Sequence, residues 1–308
     1  MSKVAPLRKK ELSALRSDRK FGTDGIRGPI TSTMNPLFVT KLGWAAGSVL
    51  KEEGITKVLI GKDTRISGYM FESALQAGFI SSGMDVTLLG PLPTPGVSYL
   101  ANSNNQVGLV ISASHNLFED NGIKFFNKDG QKFSEELEKR IESKLTEEMT
   151  AVDSINLGKA SRLNDAQGRY IEFCKSTVPQ DISFASLRIV LDCANGACYK
   201  TSPDVFKELG AEVISVGVDP DGYNINADCG STHPELVQNE VIKHRADFGI
   251  SLDGDGDRVI IIDRNGNILD GDDLLYILAF ANPNRIGPWS GVVGTPVSYT
   301  HLTLPTKA

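Results

Sequence analysis

Apolar runs and helical periods alternate along the chain from Lys57 onward. Strand-like runs at 57–60, 85–89 and 106–112 alternate with stretches of helical period at 68–82 and 94–104, which predicts β/α units around a largely parallel sheet. Asn121 to Phe126 predicts a further short strand. Leu137, Ile141 and Leu145, spaced by four, predict an amphipathic helix with Ser134 as its N-cap. The stretch 146–165 is polar with little periodicity and reads as a linker, with a helix over 166–177 bridging to a second α/β series. That series comprises a strand at 188–193, a helix near 201–209, a strand at 212–216, a helix at 234–245 and a strand at 247–253. It closes with a hairpin over 259–269 around Asn265-Gly266 and a helix at 273–281. The fold class expected is α/β: two similar α/β domains with mixed, mostly parallel sheets and flanking helices, over residues 19–155 and 165–285. Open sheets of this kind present their ligand-binding loops at the carboxyl ends of the strands.

A length of 308 residues with 40% apolar side chains fits two domains with a core in each and excludes disorder. The net charge of −6 is too acidic for a general nucleic-acid binder. The first 20 residues hold seven basic and two acidic side chains, a local +5 that leaves −11 for the remainder. Residues 1–18 therefore read as a basic, disordered extension. No apolar stretch of signal-peptide type follows it, and no run approaches the ~20 residues needed to cross a bilayer, so the expected compartment is the cytoplasm. Four cysteines without a C-x-x-C pair (Cys174, Cys193, Cys198, Cys229) read as free, buried thiols.

The sharpest motif is Asp253-Gly254-Asp255-Gly256-Asp257-Arg258, directly after the apolar strand. Carboxylates at i, i+2 and i+4 of an extended chain point the same way, and three converging anions call for a cation. An all-oxygen donor set suits Mg²⁺. A calcium loop of the EF-hand kind fails, because the sixth position is Arg258 rather than Gly and the twelfth is Arg264 rather than Glu. The plainer alternative is a solvated acidic turn.

Ser112-Ala113-Ser114-His115-Asn116 ends the strand over 107–111, with Lys124 shortly after. A serine at a strand end beside His, amides and a Lys is where a nucleophile sits; a polar turn is the competing reading. No G-x-S-x-G elbow supports hydrolase chemistry. Two further segments, Phe21 to Gly28 with Arg27 and Gly61 to Arg65, put an Arg on a Gly-rich or strand-end loop, as bidentate phosphate binding requires. An Arg beside an Asp is also a common loop-stabilising ion pair, the reading preferred for Arg65. Neither a Walker loop nor G-x-G-x-x-G is present.

Together and in this order, these motifs resemble the α-D-phosphohexomutase superfamily. The likeness runs from about Lys20 to Gly294 and includes Leu191 to Ala197, Asp221 to Asn226 with Cys229-Gly230-Ser231-Thr232, and Asp270-Gly271-Asp272. The resemblance implies that Ser114 carries a phosphoryl group as phosphoserine. It also implies that Ser114, Asp253, Asp255 and Asp257 hold one Mg²⁺ per subunit, and that Arg27, Arg258 and Arg65 bind phosphate. Lys124, in preference to His115, moves the proton of the sugar hydroxyl. The Cys-Gly-Ser-Thr stretch tilts the reading toward conversion of glucosamine 6-phosphate to glucosamine 1-phosphate through a bisphosphate, feeding cell-wall amino sugars; a glucose or mannose phosphate substrate is the alternative. Glucosamine or glucose 1,6-bisphosphate is implied as an activator, and the partner is a small phosphosugar rather than nucleic acid or membrane. Leu117 stands where the family has Pro, and residues 296–308 no longer follow the family. The family has four domains and the likeness covers two. The chain as written is therefore expected to fold, bind metal and accept phosphate on Ser114 without isomerising at an enzymatic rate.

Overall fold

The computed structural model describes residues 21–22, 25–30 and 34–280; the basic stretch 1–18 and the segment 296–308 lie outside them. Two sheets carry the fold. The first has the order β1 (Ile26–Pro29), β5 (Asp120–Phe126), β4 (Val107–Ile111), β2 (Lys57–Lys62), β3 (Asp85–Pro91), β6 (Ala160–Arg162). Its β4, β2, β3 and β6 run parallel, while β5 is antiparallel to both β1 and β4.

Strand β2 shows why its sequence is apolar throughout. Val58 and Ile60 enter the core beneath α1 (Pro36–Glu52), α2 (Ser67–Ser81) and α4 (Glu135–Lys144), whereas Leu59 enters the core beneath α3 (Thr94–Asn104) and α5 (Ala166–Ser176). Side chains alternate between faces, so a strand covered on both has no polar position to spare. Helices α1 and α2 cross almost backbone to backbone: a Cβ on Gly78 would stand 2.1 Å from Thr40 O.

Two features depart from the sequence reading. Helix α1, to which no element was assigned, starts at Asn35, whose side chain accepts from Phe38 N–H (2.9 Å), with Pro36 in the first turn. The stretch expected as a linker, 146–165, is bound to the first sheet. Trp44 Nε1–H donates to Thr150 O (2.7 Å), Val152 N–H to Ser81 O (2.9 Å), and β6 extends the sheet beside β3. Each residue of β6 is exposed, so an edge strand with no apolar alternation left no mark in the hydrophobic pattern. The Ser134 cap is present, accepting from Leu137 N–H.

The second sheet has the order β11 (Ile268–Leu269), β10 (Val259–Asp263), β9 (Phe248–Leu252), β7 (Arg188–Asp192), β8 (Glu212–Val216). It is packed by α6 (Thr201–Glu208) and α7 (Glu235–His244), and α8 (Gly271–Phe280) follows β11. Only β9, β7 and β8 are parallel; β9, β10 and β11 form an antiparallel meander whose last turn is the Asn265-Gly266 hairpin. All four cysteines are free, three of them buried and Cys174 half-buried. Among the described residues no helix is long and apolar enough to cross a membrane. The loops leaving β2 and β4 meet those leaving β7, β8 and β9: Thr64 Oγ1 donates to Asn195 O (2.5 Å), Ile66 N–H to Gly222 O (2.9 Å) and Ser114 Oγ to Asp253 Oδ2 (2.6 Å).

Candidate active site

Strand β4 ends at Ile111 and the chain turns sharply at Ser114, whose φ of +53° is a left-handed conformation that a non-glycine residue adopts at a cost. A hydrogen-bonded frame holds it there. Buried Asp63 accepts from Ser112 Oγ (2.6 Å) and from Arg65 Nε (2.7 Å), and Ser112 Oγ accepts the Ser114 N–H (2.9 Å). Burial raises the Asp63 pKa against the pull of Arg65. The turn aims Ser114 Oγ across to the second sheet, where it donates to Asp253 Oδ2 (2.6 Å).

Asp253 follows β9 immediately, and its Oδ1 accepts the N–H groups of Asp257 and Arg258 (3.1 Å each), folding the loop back on itself. The carboxylates of Asp253, Asp255 and Asp257 each place an oxygen within 4.8 Å of the others. Asp255 Oδ2 accepts from Thr94 Oγ1 (2.6 Å) and Lys124 Nζ (2.8 Å), and Lys124 also reaches Asp257 Oδ2 (2.9 Å). Burial and the neighbouring Asp255 push the Asp253 pKa up. Burial acts the same way on Asp255, yet Lys124 holds it below its usual value. For Lys124 burial disfavours the ammonium, but the two carboxylates more than compensate and raise its pKa.

The buried ammonium of Lys124 reaches two of the three carboxylates, and among the described residues the fully buried Asp255 Oδ1 has no hydrogen-bond partner. A buried carboxylate oxygen left unpaired is costly, and a hard cation coordinated by these oxygens removes that cost. The donor set fits a divalent metal ion.

The remaining expected residues divide. Arg258 is exposed beside Asp257 (3.9 Å). Arg27 is half-buried and sits not on a loop but in β1, paired with Gly122 of β5; Thr23 and Asp24 of its motif lie outside the described residues. His115 is half-buried; burial and the charges of Arg258 and Arg27 lower its pKa, and its Nδ1 is buried without a partner. Arg65, expected among the phosphate binders, is corrected by the structure. It is fully buried, and its donors go to Asp63, to the carbonyls of Leu117 and Asp120, and to those of Ser114 (2.9 Å) and Asn116 (2.8 Å). A guanidinium has five N–H groups, and none remains for a phosphate.

Three residues of the site escaped the sequence reading. Asp63 was noted only as an ion-pair partner, and it organises the serine turn. Thr94 opens α3 directly after Pro93, where a first-turn threonine reads as a cap. Asn226 stands out in the sequence only as the last residue of the stretch Asp221 to Asn226. Its Nδ2 donates to Ser114 O and Asn116 O (2.9 Å each) from the opposite sheet, a contact no local pattern encodes.

Residues 18–152 match the phosphoglucomutase/phosphomannomutase α/β/α domain I and residues 168–266 match its domain II. The phosphoglucosamine mutase of Legionella pneumophila (strain Corby) is 57% identical over 291 residues, 94% of this chain and 64% of that protein. That of Pseudoalteromonas translucida (strain TAC 125) is 55% identical over 298 residues, 96% of this chain and 66% of that protein. A crystal structure of a phosphoglucomutase/phosphomannomutase family protein from Burkholderia thailandensis aligns with a TM-score of 0.75 at 26% identity, covering 85% of this chain and 58% of that one. The chain thus spans less than two thirds of the length of these relatives.

Proposed function

The chain belongs to the phosphoglucomutase/phosphomannomutase family, and from that premise we propose that it carries the phosphoryl-transfer centre of a cytoplasmic phosphoglucosamine mutase. The observation that carries the reading is the 2.6 Å contact between Ser114 Oγ and Asp253, the first carboxylate of a triad contributed by the other sheet. A nucleophilic hydroxyl and a cluster suited to a cation, brought together from two units, form a site for moving a phosphoryl group rather than for hydrolysing an ester.

In this reading phosphorylated Ser114 gives its phosphoryl group to the free 1-hydroxyl of glucosamine 6-phosphate, and Ser114 Oγ then takes the 6-phosphoryl group from the 1,6-bisphosphate so formed. Asp253, Asp255 and Asp257 would hold Mg²⁺ together with an oxygen on Ser114, and the bound ion neutralises charge on the transferring group. Arg258 and Arg27, whose charges both reach His115, steady the phosphate oxygens. Lys124, kept protonated by its two carboxylates, is the acid that protonates the departing oxygen. His115, whose pKa is lowered by burial and by the charges of Arg258 and Arg27, favours the neutral form and lies within reach of the charges of Asp255 and Asp257. Groups whose environments drive their pKa values apart are suited to opposite proton-transfer roles, although we assign the exchange with the sugar hydroxyl to Lys124 because it touches the triad directly. The glucosamine substrate rests on the relatives' names and on Cys229 to Thr232.

The test has two arms. Incubation with glucose 1,6-bisphosphate and Mg²⁺, followed by phosphopeptide mass spectrometry, should place the group on Ser114, and Ser114→Ala should abolish it. A coupled assay offers glucosamine, glucose and mannose phosphates side by side to the chain extended over the remaining length of its relatives. Phosphate on Ser112, or a preference for glucose or mannose phosphate, overturns the corresponding part of the reading.

A further inference from the structure

We propose that Asn226 is a positioning residue: it keeps Ser114 Oγ on Asp253 by gripping the serine's own carbonyl from the second sheet, as Arg65 grips it from the first. The inference rests on the reading of Ser114 as the phosphoryl carrier. Ser114 is held in a left-handed conformation, and such a residue keeps its geometry only where its surroundings over-determine it. Its N–H is fixed by Ser112 Oγ. Its carbonyl accepts from Arg65 Nη2 and Asn226 Nδ2, both at 2.9 Å, and the carbonyl of Asn116 accepts from the same two nitrogens at 2.8 and 2.9 Å.

Two donors from two sheets therefore share two carbonyls of one turn. Arg65 alone would fix the turn's backbone relative to β2 and β4. Asn226 ties the same two carbonyls to the second unit, which carries Asp253, beside the direct bond from Ser114 Oγ.

Asn226 is built for this. It is 2% exposed, its own φ of +58° is one that Asn tolerates, and its N–H is anchored on Ala194 O (2.9 Å). Both of its partners are carbonyl oxygens, so the amide NH₂ must face them; an aspartate of the same shape would turn a carboxylate oxygen onto two acceptors. Gly254 lies against both ends of the grip: a Cβ there would stand 2.7 Å from Asn226 Nδ2 and 2.7 Å from Ser114 O. The grip thus bears on the acidic loop itself.

The experiment compares the full chain with Asn226→Gly, which removes the amide while suiting the left-handed backbone, and Asn226→Asp, which keeps the shape and removes the donors. Initial phosphorylation of Ser114 by glucose 1,6-bisphosphate is read by phosphopeptide mass spectrometry, Mn²⁺ affinity by electron paramagnetic resonance, and amide exchange across 112–118 by mass spectrometry. Misplacing a reacting atom by about 1 Å costs on the order of 100-fold in rate, so both variants should take up phosphate about 100-fold more slowly. Mn²⁺ affinity should fall far less than the rate of phosphate uptake, because the three carboxylates stay in place and only the Ser114 oxygen is displaced. Exchange in the serine turn should quicken about tenfold while β2 and β7 keep their protection. A residue that merely stabilised the fold would loosen the strands as well. Phosphate uptake at the parent rate in both variants, or an unchanged serine turn, overturns the proposal. Should the parent chain take up no phosphate on Ser114, the phosphoserine reading falls, and amide exchange alone decides whether Asn226 holds the turn.

Discussion

Replacing Lys124 with Met separates the electrostatics of the acidic cluster from its packing. The side chain is 3% exposed and its partner Asp255 is fully buried, so the variant keeps the buried stem and removes the charge. Asp255 Oδ2 would retain only Thr94 as a donor, while Oδ1 already has none. Breaking a buried pair by deleting one partner costs about 3–5 kcal/mol. The second pair, to the partly exposed Asp257, adds at most about 1 kcal/mol. Protonation of Asp255, whose pKa is released upward once the ammonium is gone, returns part of this, so a net loss of about 3 kcal/mol is expected. Urea unfolding in the presence of a chelator measures it. Saturating Mg²⁺ should then narrow the gap between variant and parent by more than half, because binding to the folded state alone adds stability and a triad relieved of a competing cation holds the ion more tightly. A loss below about 1 kcal/mol in chelator would show that the pair is no stronger than a surface one. A gap that Mg²⁺ leaves unchanged would show that Lys124 and the metal do not share the same carboxylates.

Asp257 is the exposed member of the triad, so Asp257→Ala should shift the melting temperature little yet weaken Mn²⁺ binding at least about tenfold, a loss of ~1.4 kcal/mol, as read by electron paramagnetic resonance. Arg65→Lys replaces a planar fork with a point charge in a fully buried frame and should cost about 3 kcal/mol or more in a denaturant titration. Gly78→Ala places a methyl group 2.1 Å from Thr40 O, and the forced separation of α1 and α2 should cost at least about 1–3 kcal/mol by the same measurement.

The sequence was most legible where burial is two-sided. Strands β2, β3 and β4 read as apolar runs because both faces are covered, and the loops leaving their carboxyl ends are ones that meet the second unit. The acidic loop was equally plain as a run of carboxylates at a strand exit, although what brings them together is Asp253 Oδ1 folding the loop back onto the N–H groups of Asp257 and Arg258 and not an extended chain. What could not be read falls into two kinds. Strand β6 is made by backbone pairing at an exposed edge and needs no apolar side chain. The frame of Asp63, Arg65 and Asn226 joins positions that are distant along the chain: Asn226 lies 112 residues from Ser114. Arg65 is the instructive case, because its motif is equally good for a phosphate and for a turn of carbonyls. Only the count of donors already spent separates the two.

The division of the site between two sheets has a consequence for where sensitivity to substitution lies. The hydroxyl comes from the first unit and the carboxylates from the second, and the loops are registered by short polar contacts: Thr64 to Asn195, Ile66 to Gly222, Thr94 to Asp255 and Asn226 to the serine turn. Each unit already has its own buried cores, so these contacts contribute little to folding compared with the apolar area beneath them. They set the position of one oxygen. Phosphoryl transfer depends chiefly on positioning and charge, which makes the loops over 193–197 and 222–226 places where a substitution leaves a stable protein that has lost its alignment. Gly254 belongs to the same logic: a Cβ there would stand 2.7 Å from both Asn226 Nδ2 and the Ser114 carbonyl oxygen, so a side chain would press the acidic loop away from the serine turn.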